Sequence, residues 1–152
     1  MILSHGHIDH VGCLDQFTHC PILMARTERA FDRPRYFFDA RPLDWPLADY
    51  HLIDADLDIC TGLRVLMTPG HAPGHLSAML TLPATGAVLL TADAISRPAE
   101  VDEGFADAWN PELAKTSAAR ILEMAKATNA LVIYGHSPDQ WPLLRKIPEF
   151  YR

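Results

Sequence analysis

The run Ser4-His5-Gly6-His7-Ile8-Asp9-His10 places three imidazoles and a carboxylate within six residues. A chain carrying this run must fold so that these side chains, with others from further along, meet around metal. His5 and His7 are two apart, so in an extended segment both rings leave the same side of the backbone and can grip one ion. Asp9 and His10 follow at once and, where the chain turns after His7, can face a second ion close to the first.

The remaining candidates are spread along the chain. In Thr68-Pro69-Gly70-His71-Ala72-Pro73-Gly74-His75 a Pro/Gly-punctuated loop between two expected strands carries two histidines, each preceded by a glycine that lets the backbone come close. Asp93 directly follows the apolar strand 86–91 and is flanked by apolar residues, which predicts a buried carboxylate that is paired or bound to metal. Ala130-Leu131-Val132-Ile133-Tyr134 reads as a buried strand running into Gly135-His136. His5, Asp93 and His136 each follow an apolar strand, and His75 lies in a loop after one. Ligand sites in α/β sheets collect at strand carboxyl ends, so four strands of one sheet would bring these groups to a common edge.

Between these points the sequence supplies scaffold. The segment 1–4 reads as the end of a strand, 11–17 as a short helix, 21–24 as a strand and 26–31 as a helical turn. From Arg35 to Asp49 the prolines Pro42 and Pro46 break any period, and Tyr36, Phe37, Phe38 and Trp45 either wall a pocket or pin a loop onto the core. Strands are expected at 50–53, 63–67 and 78–82, with Asp54, Asp56 and Asp58 at a solvated hairpin end; the glycine and terminal glutamate of a calcium loop are missing. A polar, acidic connector covers 97–109. Asn110 and Pro111 then open a helix as N-cap and first residue, and Ala114, Ala118, Ile121, Leu122 and Ala125 give it one apolar stripe. Asn129 ends it. A short helix is expected in 138–152.

With 152 residues, 49% hydrophobic and 21% charged, the chain fits one domain with a core. No run of about eighteen apolar residues occurs and no signal peptide precedes the motif, so the expected location is cytoplasmic, without membrane association. Three cysteines without CxxC spacing indicate neither a disulfide framework nor a cysteine zinc site. The formal charge of −6 disfavours nucleic acid and favours a small neutral or acyl substrate.

Taken together, His5-x-His7-x-Asp9-His10, the Gly-His loop, Asp93 after a strand and the late Gly135-His136 resemble the metallo-β-lactamase superfamily of metallohydrolases over essentially the whole chain. The resemblance implies an α/β (α+β) fold, an αβ/βα sandwich, present as a single partial domain over 1–152 that lacks the N-terminal half. It implies two divalent ions, one held by His5, His7 and His75, the other by Asp9, His10 and His136, with Asp93 bridging. Spacing alone leaves His71 and His75 open; the resemblance selects His75 and leaves His71 in the loop behind. Ligation by nitrogen and oxygen favours zinc and admits manganese, iron or cobalt. Two such ions, two carboxylates and a hydroxide leave a core near +1, suited to a neutral carbonyl that becomes an anion, with Asp9 placed to move a proton.

The end of the chain, Gly135-His136-Ser137-Pro138-Asp139-Gln140-Trp141 and Lys146-Ile147-Pro148-Glu149-Phe150-Tyr151, together with 68–77, resembles N-acyl homoserine lactonases. This implies quorum-quenching hydrolysis of a lactone ester bond. A tyrosine that such lactonases often carry shortly after the bridging aspartate is absent from Ala94-Ile95-Ser96-Arg97. Two alternatives stand beside this reading, a glyoxalase-II-like thioesterase or other ester hydrolase, and an inactive metal-binding remnant. The family also has a substantial segment before the histidine motif, and here four residues precede His5. The expectation is therefore an exposed inner sheet face that favours a homo-oligomer or a completing chain.

Overall fold

In the computed structural model, which describes residues 1–32 and 44–152, apolar side chains of β4 (Leu63–Met67), β5 (Leu76–Leu82) and β6 (Gly86–Ala92) are divided between two surfaces. With β3 (Leu57–Cys60) and β7 (Leu131–Tyr134) these strands form a sheet in the order β3-β4-β5-β6-β7. Neighbours run antiparallel except β6 and β7, which are parallel. A parallel pair needs a crossover connection, and α4 (Pro111–Thr128) supplies it. This helix begins as the sequence predicts: the Asn110 side chain accepts the Leu113 N–H at 3.1 Å, and Pro111 occupies the first turn. Asn129 closes it in the left-handed conformation. Its buried Ala114, Ala118, Ile121 and Ala125 pack with Leu66, Met79 and Leu89 on one face of the sheet.

On the opposite face, Val65 and Leu76 meet Ala25, Leu23 and Ile53 of a second sheet, a parallel pair of β1 (Ile22–Ala25) and β2 (Tyr50–Ile53). Ile22 and Met24 point the other way, to Leu3, Val11 and Leu14, the latter two from α1 (Ile8–Val11) and the 3-10 turn Leu14–Phe17. Period-two alternation in β1 thus joins two cores. The layers run helix, sheet, sheet, helix, the expected αβ/βα arrangement. Farther along the same face of the large sheet, Leu80, Leu82, Val88, Leu90 and Ile133 line an open groove of about 680 Å³, bordered by residues of the C-terminal tail.

Several local expectations change. The segment 1–4 is not a strand of the large sheet: Ile2 makes one isolated bridge to Leu23, and Ser4 O accepts the Leu76 N–H at 2.9 Å, stitching the segment between the two sheets. Residues Leu57–Cys60, read as part of a hairpin end, form an edge strand paired with β4. The connector 97–109 contains a helical turn, α3 (Glu100–Glu103), and buries Phe105. The expected C-terminal helix reduces to the 3-10 turn Trp141–Leu143, ended where Leu144 turns extended at ψ 148. Of the aromatic stretch, Tyr36, Phe37, Phe38 and Pro42 lie outside the described residues, whereas Trp45 packs edge-on against Tyr50 beside the smaller core. Among the described residues, no helix is long and apolar enough to cross a membrane.

Candidate metal centre

Because β4 is antiparallel to β5, and β5 to β6, the loop after β4 and the ends of β6 and β7 emerge at one edge of the large sheet. Residues 68–75, Asp93 and His136 therefore meet there, and Ser4 delivers His5 from the other sheet. The common edge was legible in the sequence; its construction from two sheets was not.

Each element is aimed by local chemistry. Gly70, at φ +139, lies so close to α4 that a methyl group on it would sit 2.3 Å from the Ala114 Cα. Asn110 and Trp109 donate their N–H groups to Gly70 O and His71 O, at 2.9 and 3.2 Å, so the two residues leading into α4 pin the loop. Ala92 has φ 46, a conformation an L-residue adopts at a cost of about 1–3 kcal/mol. It turns β6 into the 3-10 turn Asp93–Ile95. Gly135 makes room, since a methyl there would approach Ala92 O to 2.5 Å and Asp93 Oδ1 to 2.9 Å.

Among the described residues two groups of candidate ligands result, His5, His7 and His71 in one and Asp9, His10, Asp93 and His136 in the other, their ligand atoms within 4.8 Å of one another inside each group. Asp93 lies between them. Its Oδ2 is 3.5 Å from His71 Nε2, 3.9 Å from His5 Nε2 and 3.1 Å from His136 Nε2, and its Oδ1 is 3.3 Å from His10 Nε2. His136 Nε2 is also 3.2 Å from Asp9 Oδ2. Burial is graded across the site: His5 is fully buried and Asp93 nearly so, while the side chains of Asp9 and His136 are each 50% exposed. The second group thus has an open face to solvent.

The structure corrects the expectation at one histidine. His71, not His75, lies with His5 and His7, its Nε2 2.9 Å from His7 Nδ1. His75 is fully buried with both nitrogens engaged: Nε2 accepts the Asp93 N–H at 3.0 Å, so Nδ1 carries the proton and donates to Thr68 Oγ1 at 2.8 Å. The Thr68 hydroxyl continues to Ser77 Oγ at 2.9 Å, and Ser77 donates to Thr91 O at 2.8 Å. A ring satisfied this way has no lone pair to offer a metal. Instead it fixes the backbone of Asp93.

Ser4 was also not singled out from sequence. Its Oγ lies 3.2 Å from His5 Nδ1 and 3.1 Å from His10 Nδ1. Accepting from both Nδ1–H groups, it leaves both Nε2 lone pairs facing inward. Among the described residues, these two Nε2 atoms and Asp93 Oδ1 are buried without a hydrogen-bond partner. Buried polar atoms are nearly always paired, so three such orphans within the two ligand groups fit bound cations.

The protonation states agree. Burial, then the neighbouring histidines, hold His5 well below its ordinary value. Burial dominates at His71 and His75, lowering them to about 4 and about 3. Burial opposes charge on His10, but the nearby Asp93 carboxylate, with Asp9, outweighs it and raises the imidazole. Asp93, pushed up by burial, is brought down to about 2 by His10 and the surrounding histidines. Neutral His5 and His71 beside an ionised Asp93 are the forms that ligate metal, whereas His10 is drawn toward its protonated form by Asp93 and would release that proton to an ion.

The description Metallo-beta-lactamase superfamily matches residues 1–136. An N-acyl homoserine lactonase of Bacillus thuringiensis is 35% identical over 157 residues, covering 99% of this chain and 60% of the relative. The N-acyl homoserine lactonase AttM of Azorhizobium caulinodans is 31% identical, covering 99% and 62%. A solved structure of an N-acyl homoserine lactone hydrolase, with the product N-hexanoyl-L-homoserine at its catalytic metal center, superposes with a TM-score of 0.87 at 35% identity, covering 99% of this chain and 60% of that one. This chain spans about three fifths of the length of the curated relatives it matches. Layer order, the paired ligand groups at one sheet edge and the match over 1–136 agree, and the chain belongs to the metallo-β-lactamase superfamily.

Proposed function

We propose that this chain carries the dinuclear metal centre of a hydrolase that opens the ester bond of a lactone, with N-acyl homoserine lactones as the substrate class. The observation that carries the reading is that His5 Nε2, His10 Nε2 and Asp93 Oδ1 are buried without a hydrogen-bond partner within two adjacent ligand groups, Asp93 of the second group also lying 3.5 Å from His71 and 3.9 Å from His5 of the first. The substrate class rests on the named relatives.

His5, His7 and His71 would hold one ion, Asp9, His10 and His136 the other, with Asp93 between them; zinc suits this nitrogen and oxygen set. Bound divalent ions supply Lewis acidity and lower the pKa of water toward 7. The chain's own residues do the rest. Asp9, half-exposed on the open face, takes the proton of the attacking water as its oxygen bonds to the lactone carbonyl carbon. As the ring C–O bond breaks, Asp9 returns that proton to the leaving alkoxide oxygen, and the product is the open-chain hydroxy acid. His75 and Ser4 hold Asp93, His5 and His10 in place throughout. No tyrosine hydroxyl comes from 94–97, where Ala94 and Ile95 are buried, so the chain offers no phenolic donor to the oxyanion from that turn.

The test is metal content and turnover together. The dialysed chain is expected to retain two ions and to hydrolyse an N-acyl homoserine lactone faster than a matched thioester. Asp93→Asn should lose at least one ion and about 10³-fold or more in turnover, the scale of removing a metal-polarised electrostatic contribution. Two retained ions and unchanged turnover in Asp93→Asn would sink the reading. Faster thioester turnover would reassign the substrate.

A further inference from the structure

Gly6 separates His5 from His7, and Gly74 belongs to the loop that carries His71. One side chain holds the backbone of both. Glu28, in the four-residue helix α2 (Arg26–Arg29), is 2% exposed. Its Oε1 accepts the Gly6 N–H at 2.8 Å and its Oε2 accepts the Gly74 N–H at 2.9 Å. A methyl group on Gly74 would lie 2.4 Å from Glu28 N, so the loop rests directly on the α2 backbone. In sequence, 26–31 reads only as a helical turn. Burying a carboxylate is costly and weakly justified by stability alone. Its two oxygens, however, match two N–H donors on loops that nothing covalent holds together.

We propose that Glu28 is a positioning residue for the His5/His7/His71 group: its carboxylate sets the separation of the two loops and thereby the affinity of that group for a divalent ion. The inference rests on the metal-centre reading above. It is selective, because Asp9, His10, Asp93 and His136 are aimed by α1, Ser4, His75 and Gly135 instead. It is also reciprocal. An ion in the histidine group must tighten the Glu28 clasp by the same free energy that the clasp adds to binding.

The test compares wild type with Glu28→Gln, which keeps one acceptor oxygen but turns an amide NH2 toward the other glycine N–H. Both metal-free full chains are titrated with zinc against a competing chelator, and with cobalt to read each site by its optical spectrum. The affinity of one ion is expected to fall roughly ten- to a hundredfold, the usual effect of removing a group that orients ligands, while the other stays within about threefold. In wild type, hydrogen exchange at the Gly6 and Gly74 amides should slow together as the histidine group fills, by a comparable factor. A wild-type chain that takes up no ion overturns the metal-centre reading and this proposal with it. Two ions bound equally well by wild type and Glu28→Gln overturn the role of Glu28 alone. So does an equal loss at both sites accompanied by a lower melting temperature, which marks a general structural role. If Glu28→Gln does not fold, the wild-type exchange decides, and amides indifferent to the ion refute the proposal.

Discussion

Exchanging the roles of His71 and His75 should separate metal binding from folding. His71 has one ring nitrogen 2.9 Å from His7 and 3.5 Å from Asp93, in a partly open group. His75 is sealed in the interior with both nitrogens hydrogen-bonded. Structural zinc sites bind with about 10–16 kcal/mol, so one protein ligand in four accounts for roughly 3–4 kcal/mol, or about 10²- to 10³-fold in affinity. His71→Ala should therefore weaken one ion by that factor and leave the metal-free fold nearly intact. His75→Ala empties a fully buried site, strands the Asp93 N–H at about 1–3 kcal/mol and takes one of its partners from the Thr68 hydroxyl. The metal-free chain should then lose on the order of 10 °C in melting temperature, while the ion affinities fall only about 10- to 100-fold through the displaced Asp93. Chelator competition and thermal melts monitored by circular dichroism measure the two effects separately. If His75→Ala loses an ion without a drop in melting temperature while His71→Ala keeps both, the ligand assignment is wrong.

Two further substitutions test how the site is held. Ser4→Ala removes the acceptor shared by His5 and His10 and should lower affinity at both ions by about tenfold, read by zinc titration; unchanged affinities would show that the hydroxyl does not orient the rings. Asp56 accepts the Met67 N–H at 2.8 Å and Arg120 Nη1 at 2.8 Å, tying the end of β4 to α4. Burial pushes its carboxyl up, but these bonds and the charges of Arg120 and Arg64 hold it below the usual 3.8. Its contribution is thus complete above the unfolded value and lost as pH falls through the folded one. Asp56→Asn should cost about 1 kcal/mol at pH 7, with the difference from wild type fading below about pH 4 in melts run across pH.

The spacing His5-x-His7-x-Asp9-His10 announces metal chemistry before any fold is known, because few other environments suit that many ligating groups in so short a run. The N-cap Asn110, the apolar stripe of α4 and the apolar runs of β4 to β7 are likewise local signals, and they stand in the structure where local propensity puts them. Which glycine-preceded histidine joins the other candidate ligands is not a local property. His71 and His75 are each preceded by Pro-Gly, and the fold separates them: Thr68, Ser77 and the Asp93 N–H close around one, and the other is left beside His5 and His7. Glu28 is a parallel case, a charged residue in a charged turn that becomes buried only when two distant loops present their N–H groups to it. Sequence alone determined which residue types are available and which short elements carry them. Tertiary structure decided which lone pairs remain unused, because a ring nitrogen or carboxylate is free for metal only after every other hydrogen-bond partner in the interior has been assigned.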